Sequence, residues 1–131
     1  MSRRGRAPVA APPTAPDAQR RDAEWVPVCA LDDLDRERGA AALVHGRAVA
    51  VFRTHDDQVF ALDNRCPYAR ASVLARGIVG TRKDTWFVAS PMLKQPFDLR
   101  TGVCLDDPAV RVATYAVRVV EGRVEVGRRL P

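Results

Sequence analysis

From Glu24 onward the chain is cut into short β-favouring runs by turn signals every eight to twelve residues or so. That rhythm indicates a small β-sandwich or barrel. EWVPVCAL reads as an opening strand, and Pro27 suits a sheet edge, where its missing N–H breaks no ladder. LDDLDRERG has room for one polar turn and is too short for a helix. AALVHGRAVAVFRT splits at His45-Gly46 into two strands, and HDDQ turns into a third, VFAL. TWFVAS and PFDLRTG supply two more short strands. In YAVRVVEGRVEVG, Val117, Val119, Val124 and Val126 alternate with charged or smaller residues around Glu121-Gly122, which marks a hairpin. There is no internal repeat. The predicted fold is all-β, in one domain over residues 23–131.

A chain of 131 residues that is 47% hydrophobic can fill one core; with 6% aromatics, Val, Ala and Leu must fill most of it. The net charge of +5 is unevenly spread. Residues 1–22, MSRRGRAPVAAPPTAPDAQRRD, hold five Arg against two Asp, and the remainder holds 16 basic against 14 acidic residues. The domain's basic residues are scattered, without a run beyond Arg128-Arg129 and without interleaved aromatics for base stacking. That pattern argues against a nucleic-acid partner. Residues 1–22 are Ala/Pro/Arg-rich without apolar periodicity, so a disordered tail is expected there: such a stretch buries too little surface to offset its ordering entropy. Arg3-Arg4 resembles a twin-arginine export start, but four prolines by residue 16 interrupt the apolar core such a signal needs. No apolar run approaches the ~20 residues of a membrane span. Cys29, Cys66 and Cys104 are odd in number and lack metal-site spacing, which fits a reducing, cytoplasmic setting.

Residues 63–96 break the rhythm with a long irregular stretch, of the kind that is often functional. DNRCPYARASVL (63–74) opens it, and ASPMLKQPFDLRTG (89–102) runs across its end. Pro67 and Pro91 each bias the preceding residue toward extended geometry, which sets Cys66 and Ser90 at strand-like exits and presents two loops side by side.

These residues resemble the Rieske iron–sulfur domain, whose loops read C-P-H and C-P-x-H-G-W-x-F-D, followed by D-x-x-T-G. Asn64-Arg65-Cys66-Pro67-Tyr68 and the segment from Ser90 to Gly102 keep both prolines, Phe97-Asp98 and Thr101-Gly102. The resemblance covers residues 24–126. It implies a Rieske-like small β-sandwich or barrel with a two-loop subdomain that holds [2Fe–2S] in true Rieske proteins. It aligns Cys66 with the first thiolate, Tyr68 with the first imidazole, Ser90 with the second thiolate and Leu93 with the second imidazole. Two thiolates and two imidazoles are required, so these positions are expected to be degenerate and to hold no metal. Lys94 stands where the family has a Gly that lets the backbone approach the cluster. His45 and His55 lie in or beside earlier turns, on the wrong segments to substitute. Tyr68, Met92 and Leu93 are expected to fill the space between the loops. With Arg70 and Lys94 they also have an interface-like composition, and these five are the candidate partner contacts.

ALDNRCPYARASVLARGIVG and VASPMLKQPFDLRTGVCLDDP resemble, more narrowly, the small subunit of assimilatory NAD(P)H-dependent nitrite reductase. The match rests on Gly77-Ile78-Val79-Gly80, Ser90-Pro91, Lys94-Gln95, Phe97-Asp98-Leu99 and Cys104-Leu105-Asp106-Asp107, with Cys66 where that family commonly has Asp. The resemblance implies reduction of nitrite to ammonium with electrons from NAD(P)H. FAD, [4Fe–4S] and sirohaem would reside in a large subunit, and this chain would dock there as a non-catalytic partner without a cofactor of its own. The residues agree: there is no Gly-rich dinucleotide fingerprint, no complete ligand set and no Ser/His/Asp or Cys/His constellation. The alternatives are a Rieske-type ferredoxin electron carrier with unorthodox ligands and a free-standing interaction module. Phe97 and Leu99 read as core, Asp98, Thr101 and Gly102 as a tight turn, Cys29 and Cys104 as buried apolar residues, and Asp106-Asp107-Pro108 as a turn.

Overall fold

The computed structural model describes residues 25–92 and 94–131; the tail expected over residues 1–22 and Leu93 lie outside the described residues. The strands are β1 (Val26–Ala30), β2 (Arg38–Val44), β3 (Arg47–Arg53), β4 (Val59–Asp63), β5 (Arg65–Cys66), β6 (Ala71–Ser72) and β7 (Ile78–Arg82). They continue with β8 (Thr85–Ala89), β9 (Pro96–Asp98), β10 (Val103–Cys104), β11 (Asp107–Arg111), β12 (Thr114–Val120) and β13 (Arg123–Arg129). Single 3-10 turns occupy Leu31–Asp33 and Leu74–Arg76.

A six-stranded sheet runs β1-β13-β12-β4-β3-β2, a five-stranded sheet runs β11-β10-β9-β8-β7, and β5 pairs with β6. β1 returns close to β2, so the larger sheet curls toward a barrel. Pro27 lies in β1, an edge strand, as its missing donor requires.

Three hairpins are closed by two-residue loops whose central residues both have positive φ: His45-Gly46, Lys83-Asp84 and Glu121-Gly122. This mirror-image turn matches the right-handed strand twist. Lys83-Asp84 adopts it without a glycine, so the β7–β8 hairpin carries no obvious turn signal in the sequence.

β3 is buried on both faces. Val49 and Val51 join a core inside the curled sheet with Val44, Ala61, Tyr115, Val124 and Val126. Ala50 and Phe52 face the other way, into a second core with Leu62, Leu74, Val88, Phe97, Leu99 and Cys104. The run VAVF therefore separates two cores, and the second core underlies the loops. Arg53 ends β3 with a buried guanidinium that donates to Leu31 O at 3.1 Å and Leu34 O at 2.9 Å and pairs with Asp57 at 2.9 Å. It clamps the first 3-10 turn to the sheet. Arg36 also pairs with Asp57, at 2.8 Å, and its hydrogen bond holds that carboxyl below the usual range.

Some local expectations are corrected. Residues 63–96 are far more regular than an open loop, because β5 to β8 and a 3-10 turn occupy most of them. Asp107 and Pro108 open β11 rather than forming a turn; the turn is at Leu105-Asp106, and β11 is an edge strand, where proline is tolerated. Cys29 is only half-buried, since β1 borders its sheet. Val119 is exposed because the β12–β13 hairpin extends past the core.

Candidate functional site

The first loop is fastened at every turn. Asp63 Oδ1 accepts the Arg65 N–H at 3.0 Å, and Asn64 N–H donates to Ala48 O at 3.0 Å. The buried Asn64 side chain accepts the Ala75 N–H at 2.7 Å, and its backbone carbonyl accepts the Leu74 N–H at 3.0 Å. Asn64 thus pins the loop to the second 3-10 turn. Cys66 follows, fully buried in the second core, and its carbonyl accepts the Arg70 N–H at 2.8 Å. Arg70 has φ of 54° and an exposed side chain.

Tyr68 is half-buried against that core. Its ring lies 6.0 Å from the Phe97 ring at a tilt of 49°, a favourable aromatic geometry. Its hydroxyl donates to the Cys104 sulfur at 3.5 Å. That hydrogen bond, followed by burial, holds the phenol proton and pushes the Tyr68 pKa up to about 12.

The second loop joins β8 to β9. Ser90 N–H donates to Gln95 O at 3.0 Å and Lys94 N–H to Ser90 O at 2.8 Å, which closes a tight bend. Lys94 has φ of 62°, in the left-handed region that favours glycine. This gives a backbone reason for glycine at that position, separate from close approach to a cluster. Ser90 Oγ and Gln95 Oε1 are buried and make no hydrogen bond. Met92, expected to pack between the loops, instead points outward and is 59% exposed. Leu93 lies outside the described residues. Asp98 Oδ1 accepts the Arg100 N–H at 2.8 Å, ending the segment in the expected turn.

A binuclear centre of the Rieske kind needs two thiolates on one iron and two imidazoles on the other. Of the four positions, Cys66 offers a thiol, Ser90 a hydroxyl, and Tyr68 a phenol already committed to Cys104; leucine at position 93 has no lone pair. His45 and His55 are exposed on distant turns. Among the described residues, no three His, Cys, Asp or Glu side chains gather as a metal site. The donor set does not fit the cluster.

The sequence singled out Tyr68, Arg70, Met92 and Lys94 at the loops, and the structure places all four there. It missed Asn64 and Cys104. Asn64 was legible as a polar residue ahead of the loop, whereas the Tyr68–Cys104 contact joins residues 36 apart and left no local signal.

The chain and its fold match a known family. The family model for the Rieske-like [2Fe–2S] domain matches residues 24–127. The nitrite reductase (NADH) small subunit of Escherichia coli K12 is 40% identical over 104 residues, covering 79% of this chain and 96% of that protein. This chain belongs to the Rieske-like [2Fe–2S] domain family, among its nitrite reductase small subunits. A crystal structure from Mycobacterium tuberculosis, described as an NADH-dependent nitrite reductase small subunit, superposes with a TM-score of 0.78 at 47% identity, covering 79% of this chain and 94% of the other. The nitrite reductase [NAD(P)H] large subunit of Klebsiella oxytoca contains a matching stretch. It is 38% identical over 105 residues, covering 80% of this chain but 11% of that protein. In that organism the domain is thus part of the large polypeptide. Among the described residues, no helix is long and apolar enough to cross a membrane.

Proposed function

We propose that this chain is the small, non-catalytic subunit of a cytoplasmic NAD(P)H-dependent nitrite reductase that reduces nitrite to ammonium. It docks on a large subunit that carries FAD, [4Fe–4S] and sirohaem. The observation that carries this reading is the state of the two loops. The family's scaffold is kept, while its four ligand positions offer one thiol, one hydroxyl, a phenol turned to other use and a leucine. A domain of this kind has a surface to present and no electron to hold. Its likeness to small subunits over nearly their whole length supports the assignment, and so does the occurrence of the same domain within a large subunit.

The loop tips are the proposed contact surface: Arg70, Met92 and Lys94 are exposed, Tyr68 is half-buried on the first loop, and Leu93 completes the set of candidates. Docking there would shape or steady the large subunit rather than feed it electrons.

The test is co-expression with the large subunit, following nitrite-dependent NAD(P)H oxidation with and without this chain. Activity is expected to need the chain; activity indifferent to it would remove the accessory role. Iron analysis and visible absorption of the purified chain address the electron-carrier alternative. Stoichiometric iron and colour would favour a ferredoxin, whereas a colourless, iron-free chain is expected.

A further inference from the structure

Between the ends of β11 and β13 lies a concave groove of about 790 Å³, lined chiefly by Arg111, Val112, Ala113, Arg128, Arg129 and Leu130. Pro131 completes the lining, which contains no acidic side chain. Arg36, Arg53, Arg82 and Arg118 are each ion-paired, but Arg111, Arg128 and Arg129 make no salt bridge among the described residues. Residues 23–131 hold 16 basic against 14 acidic residues. The three charges gathered here exceed the excess of the whole domain. Like charges held together with no acidic side chain among them raise the local potential and attract an anionic partner.

The floor of the groove is preformed. Val112 N–H donates to Gly102 O at 2.8 Å, Ala113 O accepts the Asp63 N–H at 2.9 Å, and Leu130 N–H donates to Thr114 O at 2.8 Å. The backbone there is already paired, which leaves guanidinium groups and an apolar floor to meet an occupant. The same bonds tie the groove to Asp63, just before the first loop, and to Gly102, just after the second loop's strand.

We propose that this groove receives an acidic segment of the large subunit. Carboxylates pair with Arg111, Arg128 and Arg129, and an apolar side chain settles on the exposed Leu130 and the half-buried Ala113. Guanidinium groups suit carboxylates because two N–H donors meet two oxygens. A nucleic-acid strand fits less well, because no aromatic side chain lines the groove for bases to stack on. Docking as a separate chain also requires affinity and correct orientation that a fused domain obtains from its covalent link. Charge complementarity supplies both.

This inference rests on the small-subunit reading, and the experiment separates the two. Binding of the full chain to the purified large subunit is measured by calorimetry at low and high salt, beside an R111E/R128E/R129E variant and an R111K/R128K/R129K variant. The wild-type chain is expected to bind, and more weakly as salt rises. The charge reversal should weaken binding about a hundredfold, and the lysine variant should stay within about tenfold of wild type. Hydrogen exchange on the wild-type complex, which needs no variant, should slow at residues 111–113 and 128–130. Tight binding by the reversal variant, or unchanged exchange in the groove, would overturn the groove while leaving the small-subunit reading standing. Failure of the wild-type chain to bind at all would overturn both. Self-association through the groove, with large-subunit binding unaffected by the reversal, would replace the proposed occupant with a second copy.

Discussion

The two loops descend from one design and have met different ends. In the first, Asn64 bonds to Ala75 and Leu74, Cys66 is fully buried, and Tyr68 closes over Phe97 with its hydroxyl on Cys104. Every polar group named there has a partner. In the second, the hydroxyl of Ser90 and the amide oxygen of Gln95 are buried without one, Lys94 holds a left-handed backbone, and Met92 faces outward. The first loop has become part of the core. The second keeps the outline of a binding loop and spends little of its composition on stability. The difference shows that the two loops are packed unlike each other: the first is bonded into the core, and the second holds buried polar atoms without partners beside an exposed Met92.

The largest effect should come where both loops lean on one ring. Phe97→Ala removes a fully buried side chain beneath Tyr68 and should cost about 3–5 kcal/mol in urea unfolding. Next comes a direct contrast. Asn64→Ala strands the Ala75 N–H and should cost about 1–3 kcal/mol. Ser90→Ala deletes a group that has no partner and should be neutral or stabilising by up to about 1 kcal/mol. Equal losses from the two would end the distinction between the loops.

Tyr68 sharpens it by pH. Its folded pKa of about 12 lies above the ordinary phenol value of about 10. The stabilisation is therefore complete below about pH 10 and is lost as pH rises toward about 12. Tyr68→Phe should remove that alkaline step in unfolding curves read beside tyrosinate absorbance. Lys94→Gly relieves a left-handed backbone and should gain about 0.5–1 kcal/mol. Smallest of all, Met92→Ser should shift stability by no more than about 0.5 kcal/mol, yet weaken large-subunit binding.

Much of the fold could be read from the sequence because its signals are local. His45-Gly46 and Glu121-Gly122 announce their hairpins, and the valines of β13 alternate as a half-buried strand must. β7 was hidden: its two-residue turn uses Lys83-Asp84, and Gly80 weakens the apolar pattern. A Cβ there would lie 3.0 Å from the Phe87 ring, which would have to give by a few tenths of an ångström, a constraint set across the hairpin. β11 was hidden behind Asp107-Pro108, which reads as a turn until its edge position is known. At the site, the degenerate ligand positions were plain from residue chemistry alone. The contact of Tyr68 with Cys104 was not, because it depends on how the first loop and the distant strand β10 come together.

The indole of Trp25 lies 4.1 Å beneath the guanidinium of Arg118, and a Cβ on Gly127 would come within 3.1 Å of its ring. The other tryptophan, Trp86, belongs to β8 in the five-stranded sheet. The molecule is thereby wired with two native fluorophores, one per sheet. Replacing either with phenylalanine leaves a chain whose emission reports the loosening of a single layer.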